Sequence, residues 1–207
     1  MVVCGIGFYH LYSANYEKGL YYFNQYLEIS KIIKDTYGIY AAKINLARCY
    51  IEIGDYTEAK GLINEFLDQN ETTVNNLAFL LNAAKGLLGT IEINSNTEKA
   101  IKYLEEANEV DKSNLLIKNY TSQFYPYLAD AYLTKTFINR PFNEITKQER
   151  HKVKSLCMKA LKETKSWNNQ YGKALLVFAK YFMFINKSNH AKKYFLKSIA
   201  HHKKVNL

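Results

Sequence analysis

Residues 46–66 read LARCYIEIGDYTEAKGLINEF, two amphipathic runs joined at Gly54-Asp55. On both sides of that junction apolar residues return at intervals of three and four, the period of an α-helix. Gly54 suits a left-handed exit from the first helix, and Asp55 with Glu58 fits a capping box that opens the second. Small residues flank the turn, Ala47 before it and Ala59 after it, twelve positions apart.

The same interval separates Gly7 from Gly19, Leu88 from Ala100, and Ala179 from Ala191. Ala129 and Val153 stand twenty-four apart, which is that interval with twelve residues inserted. The second markers fall at 19, 59, 100, 153 and 191, so the chain reads as five units of about forty residues. Ile6, Leu46, Leu87, Leu128 and Phe178 each precede a first marker, and His10, Tyr50, Ile91, Tyr132 and Phe182 follow it by three. Phe23, Ile63, Leu104, Cys157 and Phe195 follow the second marker by four. Tyr26, Phe66, Ala107, Ala160 and Ser198 follow it by seven. Those offsets lie on one helical face. The markers let two helices approach, and the larger neighbours fill the seam.

Helices are expected at 2–13, 16–35, 37–53, 56–69, 73–93, 97–110, 114–136, 147–165, 168–186 and 189–204. Ser95 with Glu98 and Thr146 with Glu149 fit further capping boxes, and Ser188 fits an N-cap for the last helix. The units run over 1–36, 37–72, 73–112, 113–166 and 167–207, with an insertion at 136–146 in the fourth. Pro141 ends helical structure in that insertion, and Phe137 and Phe142 are expected to pin it. Two prolines, nine glycines and no clean apolar–polar alternation agree with an all-α chain.

NLARCYIEIGDYTEAKGLINEF (45–66) carries the leucine, small residue, tyrosine, Gly-Asp-Tyr turn and alanine of the tetratricopeptide repeat family, which this chain resembles over nearly its whole length. NYEKGLYYFNQYL (15–27) and NTEKAIKYLEEA (96–107) look like second helices of such repeats. Units near forty residues are similar to the longer variants in bacterial regulatory ATPases, peptide-pheromone receptors and kinesin light chains. The resemblance implies one right-handed α–α superhelix over 1–207 whose first helices line a concave, partner-binding groove. Candidate groove residues are Arg48, Glu52, Lys85, Glu92, Gln123, Tyr127, Asp130, Lys173, Lys180 and Phe184. The family's clamp for a peptide C-terminal carboxylate needs a Lys, Asn and Arg set. The matching positions hold Cys4, Phe8, Asn45, Asn82 and Gly86, so that clamp is not expected.

The formal net charge of +9 is divided unevenly. Residues 1–110 hold nine Lys/Arg against fourteen Asp/Glu, and residues 111–207 hold nineteen against five. Lys147, His151, Lys154, Lys162 and Lys165 share roughly one face of their helix. Lys192, Lys193, Lys197, Lys203 and Lys204 crowd the last one. Such a field attracts anionic partners. Only Arg140 and Arg150 are arginines in that half, and bidentate base reading favours arginine, so sequence-specific nucleic-acid recognition is disfavoured.

Cys4, Cys49 and Cys157 are widely spaced on apolar stripes and indicate neither a zinc site nor a disulfide framework. The apolar start, MVVCGIGFYHLYSA, lacks a basic leading segment, and 174–185 is too short to span a bilayer, so no membrane insertion is expected. No Walker loop, H-E-x-x-H or nucleophile elbow is present. His190, His201 and His202 are read as a solvated tail rather than a metal site, and Trp167 as a packing anchor. The expected protein is therefore a cytoplasmic, non-catalytic scaffold without cofactor that binds a protein or peptide, an acidic one among the options, within a larger signalling or regulatory protein. Two other readings are a peptide sensor of the pheromone-receptor type and electrostatic binding of nucleic acid or an anionic surface by the basic half. The sparse cover above Val2, Val3, Ile6 and Phe8 points to a missing neighbour or a homodimer through the N-terminal end.

Overall fold

A computed structural model describes residues 2–69, 71–108, 122–138, 140–165 and 168–204. Trp167 and the expected helical stretch 114–121 lie outside them. Among the described residues there are eleven α-helices, one 3-10 turn and no strand. They divide into two compact units, 1–91 and 92–207. The helices of the first are α1 (Val2–Tyr12), α2 (Tyr16–Ile32), α3 (Thr36–Ile53), α4 (Tyr56–Leu67), α5 (Glu71–Asn76) and α6 (Ala78–Glu92), whose last residue opens the second unit. The second continues with α7 (Thr97–Asn108), α8 (Tyr125–Phe137), α9 (Lys147–Glu163), α10 (Asn168–Phe184) and α11 (Ser188–Lys204).

Consecutive helices pack against each other: α1 on α2, α2 on α3 and α3 on α4 in the first unit, and α7 through α11 in chain order in the second. All ten markers are buried, Ala47, Ala59, Ala100, Ala129 and Ala179 fully so. At Gly7 the approach is close enough that a Cβ would sit 2.7 Å from the ring of Phe23. The neighbours placed four residues after the second marker close the seams: Phe23, Ile63, Leu104 and Cys157 are all at 0% exposure, and Phe195 is half-buried. In the first unit Leu11, Phe23, Leu27, Ala42, Leu46 and Cys49 form one core cluster. In the second, Ala129, Leu133, Phe137, Val153, Cys157, Val177 and Phe178 belong to another. Burial pushes the thiols of Cys49 and Cys157 up to about 12, which fits two small hydrophobes rather than nucleophiles.

The turn first seen at Gly54 is a repeated device. Gly54 has φ of +87°, and Ala14 and Asn186, at the same register in their units, have φ of 54° and 57°. The residue after each left-handed position stands directly before the next helix. Asn15 accepts from the Lys18 amide, Asp55 from that of Glu58, and Asn96 from that of Lys99. At the third of these turns the cap is Asn96, not Ser95; the Ser95 hydroxyl donates back to Glu92 Oε2 at 2.6 Å. Ser188 is the first residue of α11 rather than its cap. Thr146 and Glu149 do form a complete capping box at α9.

Three further expectations change. The helix expected over 73–93 breaks at Leu77, whose amide bonds to the Val74 carbonyl three residues back. Thr72, Thr73, Val74, Asn75 and Asn76 are all weak helix formers, and the backbone tightens there instead of continuing. The insertion is pinned by Phe137 and Ile145, at 6% and 3% exposure, whereas Phe142 is exposed. Two of the C-terminal histidines are packed rather than solvated: His202 lies half-buried over Gly172 and His201 sits edge-on to Tyr171 at 5.2 Å, whereas His190 is exposed with its ring tilted against Phe182. Burial, and then the charges of His201 and Lys173, hold His202 below the ordinary histidine range.

Equivalent left-handed positions held by different residues predict opposite mutational signs. Gly54→Ala forces a Cβ into that conformation and should cost about 1 kcal/mol. Ala14→Gly removes the same strain and should stabilise by about 0.5–1 kcal/mol after the entropy of glycine is subtracted. Urea unfolding of both variants beside wild type measures the two shifts.

Candidate functional site

The second unit sets α8 beside α10 as neighbours two elements apart in the chain. Tyr127, Asp130 and Phe137 lie on one face of α8, spaced by three and then seven. Lys173, Lys180 and Phe184 lie on one face of α10, spaced by seven and then four. The two sets meet rung by rung. Lys173 Nζ donates to the Tyr127 hydroxyl at 2.6 Å and stands 4.0 Å from the ring centroid. Lys180 Nζ donates to both Asp130 carboxylate oxygens at 3.0 Å. Phe184 stacks on Phe137 with centroids 5.2 Å apart. Because the rungs ascend in the same order on both helices, α8 and α10 run parallel, as first helices of successive pairs must.

Tyr127 and Gln123 are themselves buried, while the side chains of Lys180 and Asp130 keep 37% and 23% of their exposure. The solvent edge of the ladder is thus made by lysines and one carboxylate over an aromatic and aliphatic base. Of the other expected groove residues, Arg48 is buried within α3 and Glu52 is exposed one turn later. Lys85 is half-buried on α6, and Glu92 is buried where it accepts from Ser95. A second polar network crosses α7, α8 and α9. The Tyr132 hydroxyl donates to Glu105 at 2.6 Å and accepts from Lys152 at 2.8 Å. Burial and the Glu105 bond raise its pKa, so the hydroxyl stays a donor.

The basic face resolves into separate pieces. Lys162 and Lys165 lie exposed towards the end of α9 and just past it, and Lys192, Lys193, Lys197, Lys203 and Lys204 are exposed on α11. Lys147, His151 and Lys154 are exposed as well, and they line an open cleft of about 350 Å³ together with Phe142, Arg150, Tyr181, Ile185 and Lys187. Sequence periodicity placed the first three on one helical face but missed Arg150, which the offsets of three and four among 147, 150, 151 and 154 do contain. Lys187 comes from the α10–α11 turn and has no local signal linking it to α9. The Arg150 guanidinium lies 4.9 Å from the Phe142 ring centroid. Among the described residues no carboxylate lines the cleft. Glu149, the acid beside it in sequence, is drawn away by Arg140 at 2.7 Å and by the Thr146 backbone and hydroxyl, which hold its carboxyl down to about 2. Among the described residues no three His, Cys, Asp or Glu side chains are grouped as a metal site, and no helix is long and apolar enough to cross a membrane.

No protein-family model matches the sequence, and no curated protein does. Among solved structures, the chain is similar to one described as the crystal structure of MamA protein, at 15% identity over 98% of this chain and 91% of that one, with a TM-score of 0.48. The tetratricopeptide-like character of the fold rests on the helix pairs themselves, with their buried small markers and the parallel α8 and α10.

The Lys180–Asp130 rung is bidentate and partly shielded, so it should couple measurably. A double-mutant cycle of Lys180→Ala and Asp130→Ala is expected to give about 0.5–1 kcal/mol in urea unfolding. That coupling should shrink in molar salt.

Proposed function

We propose that the chain is a non-catalytic scaffold that binds a protein or peptide along the α8–α10 face, and that this face belongs to one tetratricopeptide-like array spanning 1–207. The observation that carries the reading is the ladder of Tyr127–Lys173 and Asp130–Lys180 at the edge of two helices whose buried seam is apolar. Helix association needs no such groups, since an apolar pair of similar volume holds helices at least as well as a partly buried ion pair. Two half-exposed lysines seven residues apart on α10 leave ammonium donors two turns from each other. An acidic, extended segment presents carboxylates that fit that separation. Rigid helices hold these donors without the ordering cost a loop would add on binding. On this reading Arg48, Glu52, Lys85 and Glu92 hold groove positions on the first helices of other repeats, and Gln123 stands just before α8. The protein then serves a larger regulatory or signalling assembly in the cytoplasm.

Because Tyr127 and Arg48 are buried, Lys173 and Lys180 are the better probes. Affinity capture from native extract at moderate salt is compared for wild type, Lys173→Gln/Lys180→Gln and Lys147→Gln/Lys154→Gln, each checked for unchanged helix content by circular dichroism. The reading predicts one protein retained by wild type and by the cleft variant, and at least tenfold less of it on the ladder variant. Equal recovery on the ladder variant overturns it.

A further inference from the structure

Nothing in the packing of the second unit requires four Lys/Arg cations and an imidazole to converge on one concavity. Lys147, Arg150, His151 and Lys154 face it from two turns of α9, and Lys187 faces them from the far side of the cleft. Like charges held close oppose one another by about 1 kcal/mol per pair at 4 Å even in water. Proteins ordinarily relieve that by interleaving acids. Here the acid beside Arg150 in sequence is committed elsewhere: Glu149 is held by Arg140 and by its own capping box. Among the described residues Lys147, Lys154 and Lys187 take part in no ion pair.

The cleft is also shaped. Its volume of about 350 Å³ lies in the range of small-ligand sites. Tyr181, at 5% exposure, and Ile185 give it an apolar floor, and Phe142 forms a rim. The Phe142 ring braces the Arg150 guanidinium from one side, which fixes the planar fork that suits two oxygens of one anion. Burial, and next to it the Cys157 sulfur, raise the Tyr181 pKa while Arg150 pulls it down, so the phenol stays protonated.

We propose that this cleft is a binding site for a phosphomonoester carried on an apolar or aromatic body. A single carboxylate brings one charge to a ring of four cations. A dianionic phosphoryl group brings two, within the cleft that the fork of Arg150 and the ammonium groups border. The apolar floor then takes up the body to which the phosphate is attached, which free phosphate lacks. A continuous nucleic-acid strand fits the observations less well, because the cations gather around one open cleft of about 350 Å³ rather than following a backbone, and only one of them is an arginine.

Calorimetric titration of the whole chain tests this with phenyl phosphate, inorganic phosphate, a phosphotyrosine peptide and a short DNA duplex as probes. Wild type should bind phenyl phosphate at least tenfold more tightly than inorganic phosphate. Lys147→Gln/Lys154→Gln should weaken that binding at least tenfold, and Lys162→Gln/Lys165→Gln, which removes as much charge outside the cleft, should leave it within twofold. Arg150→Lys keeps the charge but not the fork and should fall between them. Comparable affinity for the phosphotyrosine peptide assigns the phosphate to a protein side chain, and tenfold weaker binding of the peptide assigns it to a small molecule. Equal weakening by the two double variants, or duplex binding without phenyl phosphate binding, overturns the proposal.

Discussion

Helices lie as close together as they do in this chain because most of the facing positions carry a methyl group or less. Gly7 against the ring of Phe23, and the fully buried Ala47, Ala59, Ala100, Ala129 and Ala179, mark those positions. Burial of the large neighbours follows from that approach: Phe23, Phe66, Ile63 and Leu104 reach complete exclusion from water because the backbones beside them are near enough to shut the seam. Where the marker is larger, as at Val153 and Leu88, the residue itself becomes part of the core. The left-handed turns serve the same constraint, since each must reverse the chain within about one helix diameter.

In the second unit the register also decides what remains available for function. Because the seam consumes Ala129, Leu133, Ala174, Val177 and Phe178, the positions one step around α8 and α10 are left to face each other at the solvent edge. There the chain places Tyr127, Asp130, Lys173 and Lys180. The long insertion has a comparable effect on α9. Ile145 anchors it, Thr146 caps the helix, and Arg140 draws Glu149 aside. What remains on the first two turns of α9 is a run of cations with no acid among them.

Most of the fold was legible in the sequence because its determinants are local and periodic. Ala47 to Ala59 set the interval, and the helix ends agree with the expected ones to within three residues where both are described. The misses have physical reasons. Ser95 and Asn96 are both good caps, and the backbone chose the one whose side chain reaches the Lys99 amide. The break at Leu77 carries no glycine or proline, only a sum of weak propensities over 72–76. Phe142 looked like an anchor by size, yet Ile145, three residues on, is the one directed inward. The pairings across α8 and α10 follow from the register, whereas the place of Lys187 in the cleft depends on a turn between other helices. A loop's contribution to a three-dimensional hollow leaves no periodic trace.

The most direct test of the account is the unfolding free energy of chains with one marker enlarged. Ala59→Leu and Ala129→Leu should each destabilise by about 1–3 kcal/mol in urea, because the added atoms hold two helices apart. Ala200→Leu, at an exposed position of α11, should change stability by less than about 0.5 kcal/mol. If leucine at 59 and 129 is tolerated as well as at 200, the helices do not meet at the small residues and the register is wrong.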